Sequence, residues 1–199
     1  MSKQEKKVEI PTTVITGVVR LSYANLWEPK SINGGKEKYS VSLLIPKTDT
    51  VTLGKINNAV KAAYTDGQAK LKGNGKTVPQ LSALKTPLRD GDTERPDDEA
   101  YQGHFFVNAN SDIAPIIVDL NRREITERRQ IYSGAYARAQ VNFYAYNAGG
   151  ASRGIACGLN GIQKVRDGES LGGRGNVAED FDDGFIADEF AGGDDDFLN

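Results

Sequence analysis

Cysteine, tryptophan, methionine and histidine each occur once in the 199 residues. A single cysteine, Cys157, allows no internal disulfide and fits a reducing cytoplasm. Its place in a strand pattern implies a buried, inert thiol. His104 and Cys157 lie in no nucleophile motif, so the usual constellations for covalent catalysis are missing. There is no Gly-x-x-x-x-Gly-Lys-Ser/Thr loop and no repeated Cys/His spacing, which argues against a P-loop ATPase and a zinc site. No apolar run is long enough to cross a membrane, and no secretory leader is evident. The expectation is a protein that binds rather than catalyses, without metal or cofactor and without a membrane. The composition leaves a carboxylate-based nuclease open.

The remaining absence is local. Glu179 to Asn199 contains no Lys or Arg but nine acidic residues. Residues 1–178 therefore carry 25 basic against 18 acidic residues, a net charge of +7. A basic body with an acidic end implies a polyanion-binding surface and a segment able to compete for it. Phe181, Phe185, Ile186, Phe190, Phe197 and Leu198 are interleaved with the acids, and a merely solubilising tail does not need them. The domain reading is a flexible arm over 1–10, one folded domain over 11–171 and a flexible acidic tail over 172–199.

What is present centres on Ile131 to Val165. From Ile131 to Tyr146 the odd positions are apolar or small. The even positions are Tyr132, Gly134, Tyr136, Arg138, Gln140, Asn142, Tyr144 and Tyr146. Successive strand side chains point to opposite faces, so this reads as one long half-buried strand with a core face and an aromatic, polar face. Asn147 to Ser152 is a turn, and Gly154 to Val165 a return strand in which Gly158 and Gly161 permit a bulge. Rings for base stacking beside a cation and amides match what a single-stranded nucleic acid needs. The competing reading is structural: strand tyrosines often cover a core edge with the hydroxyl in water.

Taken in order, Thr13 to Tyr23 reads as a strand with Ile15, Val19, Leu21 and Tyr23 on one face, ended by Leu26-Trp27-Glu28-Pro29. A basic loop leads to a second strand, Lys38 to Ile45. Asp49 or Thr48 caps an amphipathic helix to about Tyr64, with a further turn possible over Gln68 to Leu71. Residues 67–102 show little periodicity. Asp90, Asp92 and Glu94 resemble the start of a calcium loop, but the rest of that pattern is missing, so they read as a solvated loop. His104 to Asn110 is a third strand and Pro115 to Val118 a short apolar segment. The candidate nucleic-acid site is Tyr132, Tyr136, Arg138, Gln140, Asn142, Tyr144 and Tyr146, with Trp27, Arg20 and Lys38 as outlying members.

Many strands, one good helix and a curled hairpin imply a mainly β protein, an open Greek-key barrel of the OB type. The helix follows the second visible strand, whereas in OB folds it usually follows the third. Val14–Val19, Tyr39–Pro46, His104–Asn108, Tyr132–Tyr146 and Gly158–Glu169 resemble a family of phage single-stranded-DNA-binding proteins once catalogued as a domain of unknown function. That resemblance implies an OB fold and a role in phage DNA replication, recombination or repair, in the host cytoplasm. Asp194, Asp195, Asp196 and Phe197 separately resemble the acidic, aromatic-ended tails of bacterial and phage single-strand binders, which dock replication or recombination partners. Here Leu198 and Asn199 follow the aromatic. The alternatives are a phage structural or assembly protein whose aromatic face is a protein interface, and an RNA-binding OB protein. Self-association is a further open partner reading.

Overall fold

The computed structural model describes residues 12–31, 34–149 and 152–172. The expected arm over 1–10 and nearly all of the expected tail lie outside them. Eight strands form one sheet: β1 (Thr13–Ile15), β2 (Val19–Lys30), β3 (Lys38–Pro46), β4 (Leu88–Asp90), β5 (His104–Ser111), β6 (Ile116–Val118), β7 (Tyr136–Asn147) and β8 (Arg153–Arg166). Strand β7 pairs with both β2 and β8, which closes the ring β2–β3–β5–β8–β7 into a barrel. Within the ring every pairing is antiparallel except β5–β8, which is parallel and meets at Asn110 and Gly158. This is the expected OB-type Greek-key barrel.

The helix is the departure from the usual OB plan. Helix α1 (Thr50–Asp66) is inserted between the second and third barrel strands, β3 and β5. The Asp49 carboxylate accepts the Thr52 N–H at 3.0 Å, so the start follows ordinary N-capping. The Thr52 hydroxyl in turn accepts the Gly17 N–H at 2.8 Å and ties the helix to the kink between β1 and β2. Ile56, Ala59, Val60 and Ala63 form the buried face. They join Ala137, Ala139, Val141, Phe143 and Ala145 of β7 in the core. The expected odd face of β7 is thus the core face, and its alanines leave room for α1. A one-turn extension, α2 (Gln68–Lys72), buries Leu71.

Three strand expectations need correction. The first strand is not one alternating run: Val14 is buried and Ile15 exposed, then Val19 and Leu21 are buried. The break at Thr16–Val18 shifts the phase, a bulge-like irregularity that single-sequence alternation does not reveal. The second part also runs on to Lys30, through Leu26 and Trp27, instead of stopping there. Strand β7 begins at Tyr136, not Ile131, because Gly134 sits at φ +114°, outside the β region. In β8 the pairing to β7 skips Asn160 between Leu159 and Gly161, the bulge that the glycines allow.

A second, smaller cluster lies outside the barrel wall. Leu44 of β3 and Phe106 of β5 point outward but are covered by Tyr101. Tyr101 meets Phe106 edge-on at 5.0 Å and donates to Ser42 Oγ at 3.0 Å. The carboxylates of Asp90 and Asp92 each lie 2.7 Å from Lys47 Nζ, and Glu94 pairs with Arg89. The acid run that resembles a calcium loop therefore binds the protein's own cations. It carries β4 and a short helix, α3 (Gly91–Glu94). Cys157 is buried on the core face of β8, and burial pushes its thiol well above the ordinary range. Native protein should leave a thiol reagent unreacted, and denaturant should expose one equivalent; fast native labelling would contradict this packing.

Candidate nucleic-acid interface

The outward faces of β3, β5 and β8 meet in a shallow groove. Strand pairing fixes its central row: Asn25 beside Ser40, Ser40 beside Asn110, Asn110 beside Gly158, and Gly158 beside Asn142. The row crosses five strands and carries only amides, a hydroxyl and a glycine. Asn25 Nδ2 donates to Ser40 Oγ at 3.2 Å. The adjoining outward position of β8 is Ala156, a small side chain on the floor, while Gly154 beyond it is covered by the Lys85 backbone, which bridges to it.

Two hollows share Asn108 and Asn110 and together make the groove. One end is walled by Tyr23, Asn25 and Arg95. The Tyr23 ring is 57% exposed and its backbone sits at φ +46°. A non-glycine residue in that region is uncommon and is held there by its surroundings. The Arg95 guanidinium lies 5.4 Å from the Tyr23 ring and 5.4 Å from the Tyr101 ring, and contacts the Tyr23 hydroxyl at 3.5 Å. The other end is walled by Tyr146, Lys85, Arg89 and Glu94. Arg89 also lies over Phe106 at 4.9 Å. Rings and cations therefore stand at both ends of a polar floor.

The even face of β7 does not form one surface. Tyr144 and Asn142 stand opposite Ala156 and Gly158, and Tyr146 lines the groove itself. Tyr144 is 39% exposed, and burial, helped by the neighbouring Cys157 and Asp112, raises its hydroxyl pKa. Arg138 and Gln140 belong to a different hollow, beside Ile15 and Ile116. Arg138 Nε donates to the Thr16 carbonyl at 3.2 Å. Tyr136 is flanked by cations from both neighbouring strands, with Arg166 at 3.5 Å and Arg20 at 5.7 Å from the ring centroid. Arg20 donates to the carbonyls of Gly134 and Glu169. The Tyr132 hydroxyl is 2.9 Å from the Gly168 carbonyl and accepts the Gly168 N–H. Trp27 packs on the core and donates its indole N–H to the Ile131 carbonyl at 3.3 Å. Lys38 lies 3.8 Å from Asp112. Asp194, Asp195, Asp196 and Phe197 lie outside the described residues.

Sequence reasoning missed Tyr23, Asn25, Arg95, Asn108 and Asn110 as a group. A signal existed for the last pair, since His104 to Asn110 alternates amides with core residues. Arg95 had none: it comes from a segment without periodicity. Among the described residues no cluster of His, Cys, Asp and Glu is placed to hold a metal ion, and no helix is long and apolar enough to cross a membrane.

The family model described as Enterobacter phage Enc34, ssDNA-binding protein, matches residues 12–191. A curated relative, putative protein p50 of Acyrthosiphon pisum secondary endosymbiont phage 1, is 33% identical over 180 residues, covering 86% of this chain and 93% of its own. Among solved structures, the C-terminally truncated single-stranded DNA-binding protein of bacteriophage Enc34 superposes with a TM-score of 0.66 at 22% identity, over 80% of this chain and 88% of its own. The same phage protein in complex with ssDNA gives 0.64 at 24% identity, over 86% of this chain and 100% of its own. Bacteriophage T7 gp2.5, a single-stranded DNA binding protein, gives 0.57 at 14% identity, over 81% and 96% of the two chains. These superpositions concern the fold.

Proposed function

The chain belongs to the family of the Enterobacter phage Enc34 ssDNA-binding protein, and from that premise we propose that it binds single-stranded DNA, without reading sequence, in the groove over β3, β5 and β8. The observation that carries this reading is the groove's make-up: exposed Tyr23 beside Arg95 at one end, Tyr146 with Lys85 and Arg89 at the other, Asn108 and Asn110 between, and half-exposed Tyr144 opposite the lining residue Ala156. Bases stack on the rings whatever their identity, and the cations meet phosphates. Asn142 extends the floor. Arg138 and Gln140 lie outside this groove, in the hollow beside Ile15 and Ile116. Tyr132, Tyr136, Arg20 and Trp27 act by positioning the strand that carries Tyr144. Lys38, with Lys36 close to Asp112, lies on the loop side.

The proposed activity is binding, not catalysis. Its proposed setting is phage DNA replication, recombination or repair in the host cytoplasm, with Asp194 to Phe197 recruiting a partner. Fluorescence titration with poly(dT), poly(U) and a duplex of equal length tests the reading. Saturable quenching of tyrosine emission by poly(dT), with weaker response to the other two, is expected. Preference for poly(U) would favour an RNA binder, and no response to any would favour a protein interface.

Salt dependence follows from the same chemistry. The logarithm of affinity should fall with log salt at roughly 0.7 per phosphate neutralised. Arg95→Ala should reduce that slope by about one such unit as well as the affinity. An unchanged slope would remove Arg95 from the phosphate path.

A further inference from the structure

On the barrel wall next to the groove, β1, β7, β8 and β6 lie side by side. Cross-strand register sets Ile15 beside Gln140, Gln140 beside Gly161, and Gly161 beside Ile116. Gly161 has no side chain, so two isoleucines wall a trough. Ile116 is 67% exposed and Ile15 48% exposed. Val118 and Ile162 extend the apolar lining, and Arg122 and Arg138 bring cations without any carboxylate. Arg122 is a non-glycine residue at φ +64°, a conformation that its surroundings must hold. Gln140, Asn160 and Gln163 add amides to the lining, so the trough differs from the DNA groove by its exposed isoleucine walls and by having cations but no exposed ring. Such walls and cations suit an acidic peptide with aromatic residues.

The chain itself supplies such a peptide. Residues 179–190 carry six acids, three phenylalanines and Ile186, with no Lys or Arg. The described chain runs out at residue 172, just after the Leu171 N–H is donated to the Ser133 carbonyl at 2.8 Å. From Ser133 to Gln140 the strand path is roughly 20–25 Å at ~3.3 Å per residue. Residues 173–180 span up to about 26–29 Å when extended, so Phe181 reaches the trough. The family match also continues past residue 172 to residue 191 and stops short of Asp194–Phe197. The inner part of the tail is thus shared with the domain, while the distal acidic end is not included.

We infer that residues 181–190 dock their phenylalanines between Ile15 and Ile116, with their carboxylates toward Arg122 and Arg138, outside the DNA groove. The tail then has two parts with separate tasks. The inner part holds to its own barrel. The distal part, from Asp194, projects from a fixed point and stays available when DNA is bound. This goes beyond the proposed DNA-binding activity and does not depend on what the groove binds. It differs from a tail that lies in the groove and is expelled by DNA.

Paramagnetic broadening tests it in the full chain. Ala187→Cys provides one attachment site for a nitroxide, because Cys157 is buried. Amides of Gln140, Gly161 and Ile116 should lose most of their intensity, while those of Asn108 and Asn110 lose less. The pattern should persist on saturation with an oligo(dT) strand. Ile116→Glu should restore the trough intensities by repelling the acids, and Arg122→Glu serves as a second variant if the first perturbs the fold. Strongest broadening at Asn108 and Asn110, relieved by DNA, would overturn the proposal in favour of a tail in the groove. Absence of broadening would overturn it outright. Broadening transferred to an isotope-labelled, nitroxide-free copy would overturn the own-chain assignment in favour of exchange between molecules.

Discussion

Tyr23→Ala combined with Tyr144→Ala should weaken binding of an oligo(dT) strand by about 2–6 kcal/mol, at least ~30-fold, with little change in folding stability. Each ring that stacks a base is worth roughly 1–3 kcal/mol. The two rings stand on different strands, β2 and β7, and share no partner among the described residues, so their effects should add to a first approximation. Both are substantially exposed, and surface substitutions usually move stability by about 0.5 kcal/mol or less. Tyr136→Ala is the contrasting case. Its ring is packed against Arg166 and Arg20, so its loss should appear in urea denaturation more than in affinity. Tyr132→Ala should behave alike, since its hydroxyl secures Gly168. If Tyr136→Ala lost as much affinity as the double variant at unchanged stability, the DNA path would run along β7 instead of across β3, β5 and β8.

Gly134→Ala should destabilise the fold by roughly 2–6 kcal/mol. Gly134 has φ +114°, and a Cβ there would run into the Glu169 carbonyl. The left-handed backbone costs on the order of 1–3 kcal/mol for a residue with a side chain, and overpacking adds a similar amount. The clash falls where Arg20 binds the Glu169 carbonyl and where the Gly134 N–H is donated to the Leu21 carbonyl at 2.7 Å. The substitution therefore separates residues 168–171 from the barrel. Gly103→Ala is the control: φ is +69°, but nothing lies within 4 Å of its Cβ position. It should show only the backbone cost. Urea melts read both, and the midpoint should fall without a change in slope. Equal shifts for the two variants would mean the contact with Glu169 contributes nothing.

The parts of the fold that were legible in the sequence are those with a regular period. The odd face of β7, the helix with its Asp49 cap, the β5 alternation and the β8 bulge all follow from local patterns. The helix position within the barrel followed from simple element order, although it departs from the usual OB plan. The phase slip at Thr16–Val18 was not legible, because a bulge alters which residues face inward without altering composition. The candidate site was legible only along one strand. Tyr144, Tyr146 and Asn142 share a strand with Tyr136 and Arg138, and period-two reasoning groups them. Barrel curvature then gives them different neighbours: β8 and β5 for Tyr144, β1 and β6 for Gln140, Arg20 and Arg166 for Tyr136. Groove walls built from Tyr23 and Arg95 are 72 residues apart in sequence, and only strand pairing brings them together.

The central claim is that DNA crosses the β3–β5–β8 face. Ultraviolet crosslinking of the full-length protein to an oligo(dT) strand, with the crosslinked residues identified by mass spectrometry, tests it most directly. The account predicts crosslinks at Tyr23, Tyr144 and Tyr146, suppressed by excess unlabelled strand. Crosslinks confined to Tyr132, Tyr136 and Trp27, with those three tyrosines unmodified, would contradict it.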